Sequence, residues 1–153
     1  MTATTAPLTT LAAVQNFILA GRAIFTVVSR KTSDRKTFRV VRAKPRPGDG
    51  AREPGWFVGL LTGPQNTTDF HYLGFIFRDG AGVLQFRPNK TGWGVEAVAA
   101  FAWILGRVQA QDPRLLEQAD VWHEGKCGCC GRPLTVPESI ASGIGPVCEQ
   151  RIP

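Results

Sequence analysis

Residues 23–44 read AIFTVVSRKTSDRKTFRVVRAK, and this stretch decides the fold class of the chain. Its two ends, AIFTVVSR and TFRVVRAK, are rich in β-branched residues, which favour extended strands. The polar run KTSDRK between them is typical of a turn, so the stretch predicts a β-hairpin. The residues that follow, PRPGDGAREPG at 45–55, are rich in proline and glycine and predict a loop.

Strand patterns return further along the chain, at residues 56–62, 71–77 and 83–87. Apolar residues at helical spacing predict two helices, over residues 8–20 and 93–108. Because the strands follow one another between the two helices, they are predicted to pair antiparallel. The expected fold is therefore α+β: an antiparallel sheet of about five strands, flanked by two helices and followed by a C-terminal zinc-knuckle module.

The composition of the 153-residue chain is that of a folded protein, with 43% hydrophobic residues. This fraction argues against wholesale disorder, and no apolar run approaches the roughly 20 residues that span a bilayer. The N-terminal segment shows neither a basic start nor a small-residue cleavage site after an apolar run. No secretion signal is therefore expected, and the expected location is the cytoplasm.

All four cysteines lie in the C-terminal stretch HEGKCGCCGRPLTVPESIASGIGPVC, which covers residues 123–148. Cys127 and Cys130 have the C-x2-C spacing with which a tight turn brings two sulfur atoms to one metal ion. Cys148 follows a Gly-Ile-Gly-Pro turn and is predicted to lie near the start of a short helix. In a cytosolic protein this pattern favours a metal site over two disulfide bonds.

Three thiolates leave one position of a tetrahedral zinc site to be filled. Adjacent side chains usually diverge, so joint ligation by Cys129 and Cys130 is less favoured than ligation by His123. The prediction is one structural zinc ion, with Cys129 as a spare thiol; replacement of His123 by Cys129 is the alternative left open. The predicted ligands are His123, Cys127, Cys130 and Cys148. The chain is accordingly divided into an α+β domain over 1–115 and a zinc-binding module over 116–153.

The string WHEGKCGCCGRPLTVPESIASGIGPVC resembles an uncharacterised zinc-module family that is common in bacteriophage and actinobacterial proteins. The shared motif is C-x2-C-G-R-x-L-T-x-P-x-S-I-x-x-G-I-G-P-x-C, and the likeness extends upstream to about Phe57. The resemblance implies zinc at the four predicted ligands, with Cys129 where a non-ligand residue is usual. It also implies a phage-like origin, and therefore the cytoplasm of a bacterial host, but it implies no activity.

Positive charge is concentrated in one part of the chain. Ten of the 18 basic residues fall between residues 22 and 53, against three acidic residues. A local positive field favours an anionic partner, most often nucleic acid. The residues predicted to contact it are Arg30, Lys31, Arg35, Lys36, Arg39, Arg42, Lys44 and Arg46, with Lys126 and Arg132 beside the zinc. The predicted function is non-enzymatic binding of nucleic acid, with single-stranded DNA or RNA favoured over duplex.

Aromatic residues offer a second route to nucleic acid, because bases stack on aromatic rings. The candidates are Trp56, Phe57, Phe70, Tyr72, Phe86 and Trp93, interleaved with Arg78, Arg87 and Lys90. Most of these rings are expected in the core, under the helices. Arg39 and Arg42 are expected on opposite faces of their strand, so the basic residues form no single stripe.

Two other functions fit the same sequence. The first is a phage-encoded protein-interaction module, an inhibitor or adaptor of a host or defence complex, which would dock through a sheet edge or its long loops. The second is a metal-dependent nuclease. The sequence contains no cluster of carboxylates that would form a magnesium site locally. A nuclease would therefore require Asp69, Asp79 and His71 to converge in space.

Overall fold

The computed structural model describes residues 6–44, 47–48, 54–65, 68–134 and 137–149. Within them the strands are β1 (Ala6–Pro7), β2 (Arg22–Ser29), β3 (Arg35–Arg42), β4 (Trp56–Leu61), β5 (Phe70–Arg78), β6 (Leu84–Pro88) and β7 (Ala119–His123). The helices are α1 (Leu11–Ile18), α2 (Val95–Gln109), α3 (Arg114–Gln118), α4 (Pro137–Ser142) and α5 (Pro146–Glu149). The described strands form one antiparallel sheet in the order β1-β7-β2-β3-β4-β5-β6. The predicted α+β class is confirmed.

The sheet exceeds the predicted five strands because β1 and β7 join it through long-range pairing. β7 lies between β1 and β2, with His123 opposite both Ala6 and Phe25. Turn sequences predict pairing only between strands that are close in the chain, so no such sequence predicts the pairing of β7 with β1 and β2. The predicted division after residue 115 precedes β7, so the first strand of the predicted second unit lies inside the sheet.

The first helix is shorter than predicted because its expected first turn is extended. The Leu8 N–H donates to the Val121 carbonyl at 2.8 Å, which ties residue 8 to the sheet. Thr10 then caps α1, its side-chain oxygen accepting a hydrogen bond from the Ala13 N–H at 3.1 Å. None of the described helices is both long and apolar enough to cross a membrane.

One face of the sheet is covered by α1 and α2. Phe25 and Phe38 are directly paired across β2 and β3, and their side chains are fully buried on this face. Phe17 of α1 packs edge-on against Phe25 with ring centroids 6.3 Å apart, and Phe101 of α2 packs against Phe38 at 5.3 Å. These aromatic contacts form the centre of the hydrophobic core.

The opposite face of the sheet carries the residues that alternate with the core positions. In the described part of the chain no helix packs on this face, and its apolar residues lie outside the core cluster. We call it the open face, and the residues that matter below are Arg22, Ile24, Arg39, Val41, Phe57, Phe70, Tyr72, Phe75, Phe77 and Arg87.

Candidate functional site

Three of the four cysteines form one cluster. The Sγ atoms of Cys127, Cys130 and Cys148 all lie within 4.8 Å of one another. Cys127 and Cys130 are in the turn after β7, and Cys148 is in α5. Three sulfur atoms from a C-x2-C turn and a distant third cysteine are a donor set that suits zinc, which binds thiolates tetrahedrally.

The backbone around Cys127 stabilises a thiolate there. The Cys129 N–H points at the Cys127 Sγ at 3.4 Å, and the Gly145 N–H does so at 3.3 Å. Burial acts to raise the pKa of Cys127, but hydrogen bonds from Gly145, Cys130 and Cys129 outweigh it and hold the pKa below its ordinary value. A thiol that already receives these amide hydrogen bonds is suited to bind a cation.

Cys148 differs from Cys127, because no hydrogen bond offsets its burial. Burial, and then contacts with the thiols of Cys130, Cys129 and Cys127, raise the pKa of Cys148 to about 12. Without a cation this thiol is protonated at neutral pH, so metal binding has to displace its proton. The four thiols are free of disulfide bonds.

The structure does not bring His123, the predicted fourth ligand, into the thiol cluster. Its Nδ1 accepts a hydrogen bond from the Gly125 N–H at 2.9 Å, and its Nε2 faces the Ile140 carbonyl at 2.5 Å. This pattern assigns the neutral tautomer with hydrogen on Nε2. The pKa of His123 is lowered because burial outweighs the hydrogen bond to the Ile140 carbonyl, which acts to raise it. With both ring nitrogens bonded to backbone, His123 is a buried structural residue that also packs on Phe17.

Cys129 lies closer to the cluster than the sequence suggested. Its thiol contacts that of Cys148, although it is not among the three that all lie within 4.8 Å of one another. It is half-buried, whereas Cys127 is fully buried. Of the two side chains weighed for the fourth position, Cys129 is the one whose donor atom remains available.

The predicted cationic residues separate onto different surfaces. Within β3, Arg35 and Arg39 lie on the open face, whereas Lys36 and Arg42 alternate onto the helix side. Others lie at the hairpin turn, after β3 or beside the cysteines; these are Arg30, Lys31, Lys44, Lys126 and Arg132. Arg46 lies outside the described residues. The ten predicted contacts therefore do not share one face.

Two of the separated arginines have partners of their own. Arg30 pairs with Asp120 at 2.8 Å, which joins the hairpin end to β7. Arg42 lies over the indole of the buried Trp56, 5.7 Å from the ring centroid. Both contacts explain a positive charge in this region without a nucleic acid.

The aromatic candidates also divide between the two faces. Trp56 and Phe86 belong to the helix side, and Trp93 stacks on His71 with ring centroids 3.7 Å apart. The open face carries Phe57, Phe70 and Tyr72, and in addition Phe75 and Phe77, which sequence reasoning missed.

A β-bulge explains the omission of Phe75 and Phe77. The pairing of β5 with β4 shifts where Tyr72 is opposite Gly59 and Gly74 is opposite Val58, so Leu73 is the extra residue. Even-numbered residues face the open side before the bulge, and odd-numbered ones do so after it. Simple alternation along β5 therefore assigns half of the strand to the wrong face.

The register aligns the open-face residues into a row across five strands. Arg22 is opposite Val41, Val41 opposite Phe57, Phe57 opposite Phe75, and Phe75 opposite Arg87. The row thus has an arginine at each end and two aromatic rings, 5.2 Å apart, near its middle.

Further open-face side chains extend this row. Arg39 is opposite Gly59, and its guanidinium lies 4.6 Å from the ring centroid of Phe70 on the next strand. Phe57 and Tyr72 are 43% and 48% exposed, and their ring centroids are 6.3 Å apart. Phe57 and Tyr72 therefore form an exposed aromatic patch on the open face.

The residues required for a nuclease do not converge in the described structure. Asp69 accepts a hydrogen bond from the Gln65 N–H, whereas Asp79 accepts hydrogen bonds within the turn between β5 and β6. His71 is occupied by its stack on Trp93. Neither carboxylate belongs to a group of three metal-ligating side chains among the residues that the structure describes.

Comparison with known proteins gives a match to the C-terminal part of the chain. Curated proteins and solved structures contain none that match this chain. Residues 118–153, which include β7 and all four cysteines, match the model of a family of unknown function, DUF6011.

Proposed function

We propose that this chain is a non-enzymatic protein that binds single-stranded nucleic acid on its open face and holds a structural zinc ion in its thiol cluster. The observation that supports binding is the row in which Arg22 and Arg87 flank Phe57 and Phe75, with Tyr72 exposed beside it. The aromatic rings of this surface suit the bases of a nucleic acid, and its arginines suit the phosphates.

The exposed rings suit the bases. A base stacked on an aromatic side chain contributes about 1–3 kcal/mol, whichever base it is. Phe57 and Tyr72 belong to neighbouring strands, and a sheet holds them in place with little conformational freedom. Base faces are available in single strands and hidden in duplexes, so this surface favours single-stranded DNA or RNA.

The arginines suit the phosphates and also strengthen stacking. Arg39 lies over Phe70, and Arg87 lies 5.5 Å from the ring centroid of Phe75 and 5.7 Å from that of Phe77. A planar guanidinium held over a ring can still donate hydrogen bonds from its edge to a phosphate. Protein interfaces are also rich in aromatic and arginine side chains, so the salt dependence of binding is what separates nucleic acid from a protein partner.

Zinc is proposed as the ion because three clustered cysteine thiols are soft donors. When bound, zinc would contribute folding free energy to the C-terminal segment. The resemblance to phage and actinobacterial zinc modules adds a phage origin to the proposal. Cys127, Cys130 and Cys148 would hold the ion, and Cys129 is the proposed fourth ligand.

The test of the binding proposal is a fluorescence-anisotropy titration with labelled single-stranded DNA, single-stranded RNA and duplex DNA at several salt concentrations. We expect both single strands to bind more tightly than the duplex, with affinity that falls as salt rises. Arg39→Ala and Arg87→Ala should each weaken binding about 2- to 12-fold, because each removes a hydrogen bond to phosphate. The control is Arg114→Ala, which removes one positive charge from α3, where the side chain is 61% exposed.

If none of the three nucleic acids binds at low salt, the proposal is overturned. Equal losses in Arg39→Ala and Arg114→Ala would contradict the proposed surface, because they would report only the net charge of +6. Binding that is insensitive to salt would also contradict it, and would favour the protein-interaction function.

The fourth ligand has a test of its own. We expect Cys129→Ser to weaken zinc binding by at least about 10-fold, because loss of a sulfur ligand costs at least as much as the loss of an outer-shell partner. The measurement is competition with a chromophoric chelator. The cobalt-substituted protein should also lose thiolate-to-cobalt absorption in this variant. Unchanged affinity and unchanged absorption in Cys129→Ser would show that Cys129 is not a ligand.

A further inference from the structure

We infer that a cleft between the open face and the cysteine-containing turn binds a phosphate of the same nucleic-acid strand, and that metal binding and strand binding are therefore coupled. This inference rests on the proposed function and adds a binding site to it. The cleft has a volume of about 330 Å³. Its lining residues are Arg22, Ile24, Arg39, Val41, Glu124, Lys126 and Gly131.

The basic residues that line the cleft come from three separate parts of the chain. Arg22 lies at the start of β2, Arg39 is in β3, and Lys126 lies in the turn after β7. Arg39 lines the cleft, but its guanidinium lies over Phe70. The two remaining cations, Arg22 and Lys126, exceed the single acid of the lining, Glu124, by two to one. A concave site with an excess of positive charge attracts an anion. Because the adjoining open face is proposed to bind nucleic acid, the expected anion is a phosphodiester.

The cleft is continuous with the aromatic surface. Arg22 and Val41, which line it, are the first two members of the row that continues to Phe57 and Phe75. Neighbouring strands are about 4.8 Å apart, so Phe57 lies about 10 Å across the sheet from Arg22. A strand whose bases stack on the open face can therefore place one of its phosphates in the cleft.

One wall of the cleft depends on the metal-binding turn. Lys126 immediately precedes Cys127, and Gly131 immediately follows Cys130. The turn is joined to the sheet at this point, because the Arg22 N–H donates to the Gly128 carbonyl at 2.6 Å. Within the turn, the Cys127 N–H donates to the Arg132 carbonyl at 2.8 Å.

Coupling between the two sites follows from this placement. A metal ion that holds Cys127 and Cys130 would also fix the position of Lys126, which adjoins Cys127 in the wall of the cleft. When the metal has already ordered this wall, nucleic-acid binding no longer includes the conformational entropy lost in ordering it. Thermodynamic linkage then requires the nucleic acid to strengthen metal binding by the same factor.

The first experiment measures the salt dependence of single-stranded DNA binding by zinc-bound protein. Arg22→Ala and Lys126→Ala should each weaken binding about 2- to 12-fold and reduce the slope of log affinity against log salt by about 0.7. Arg114→Ala, in α3, is the control and should leave the slope unchanged. If Arg22→Ala and Lys126→Ala both keep the wild-type slope while Tyr72→Ala loses affinity, the cleft is not a phosphate site and the proposed function stands. Absence of any binding would overturn both.

The second experiment is a thermodynamic cycle. The affinity for DNA is measured with and without zinc, in the wild type and in Lys126→Ala. We expect zinc removal to weaken binding by the wild type about 2- to 12-fold, and to weaken Lys126→Ala by clearly less, because both changes remove the same contact. Equal factors in the two proteins would show that the metal acts elsewhere and would overturn the coupling.

Discussion

Replacing Phe57 and Tyr72 together by alanine is expected to cause the largest loss of nucleic-acid affinity of any open-face variant. Each ring that stacks a base contributes about 1–3 kcal/mol, so each alanine should weaken binding about 5- to 150-fold. The losses should be similar for DNA and RNA, because stacking does not involve the 2′-hydroxyl. The measurement is anisotropy of a labelled single strand, with each single variant beside the double one.

The fold should tolerate this double replacement. Both rings are already nearly half exposed, and they lie outside the core cluster. Their loss removes contacts with each other and with Phe75, but creates no buried cavity. Thermal unfolding of the variant should therefore stay close to that of the wild type.

The matched control for the double variant is Trp103→Ala. Trp103 is 37% exposed in α2, so this change also removes an exposed aromatic ring but leaves the open face intact. We expect its DNA affinity to equal that of the wild type. A loss as large as that of Tyr72→Ala would mean that the aromatic surface is not the binding site. Full affinity in the folded double variant would have the same meaning.

Replacing Cys127 or Cys148 by serine is expected to cause the largest loss of metal affinity. Structural zinc sites in small domains contribute about 10–16 kcal/mol, so one of four ligands accounts for roughly 3–4 kcal/mol, a factor of about 10² to 10³. The two variants should behave alike, because each removes one sulfur from the same cluster. Competition with a chromophoric chelator measures the affinity.

The consequences for folding should be confined to the C-terminal segment. A small second group of buried residues surrounds the cysteines, including Leu134 and Ile144, and it is separate from the main core. With zinc removed, we expect amide hydrogen exchange to accelerate over residues 125–149 and to change little in β2–β5. The control is Val147→Ser, because Val147 is 62% exposed and adjoins Cys148. If Cys127→Ser bound zinc as tightly as Val147→Ser, the thiol cluster would not be the metal site.

The glycines of the C-terminal segment show how closely its backbone packs on α1. A side-chain carbon at Gly128 would lie 2.7 Å from the Phe17 ring, and one at Gly143 would lie 2.5 Å from it. Gly143 in addition has a positive φ of 75°. The segment therefore approaches α1 closely through its backbone, and a bound metal would reinforce a contact that the packing already makes.

Much of this architecture follows from local patterns in the sequence. β-branched residues on either side of KTSDRK were sufficient to predict the β2–β3 hairpin, and helical spacing was sufficient to predict α2 within about two residues. The C-x2-C spacing and the distant Cys148 were sufficient to predict the thiol cluster. Each of these features depends on residues that are close in the chain, or on a chemical type that is rare enough to stand out.

Other features were decided only by contacts between distant residues. His123 has the right chemistry and spacing for a ligand, but the Ile140 carbonyl and the Gly125 N–H occupy its nitrogens. Phe75 joins the open face because the bulge at Leu73 changes the face on which later residues of β5 lie. β7 enters the sheet beside β2 across about ninety residues of chain. Local sequence determines which segments are strands, helices and ligating turns, whereas register and burial, which depend on the whole fold, determine which side chains meet.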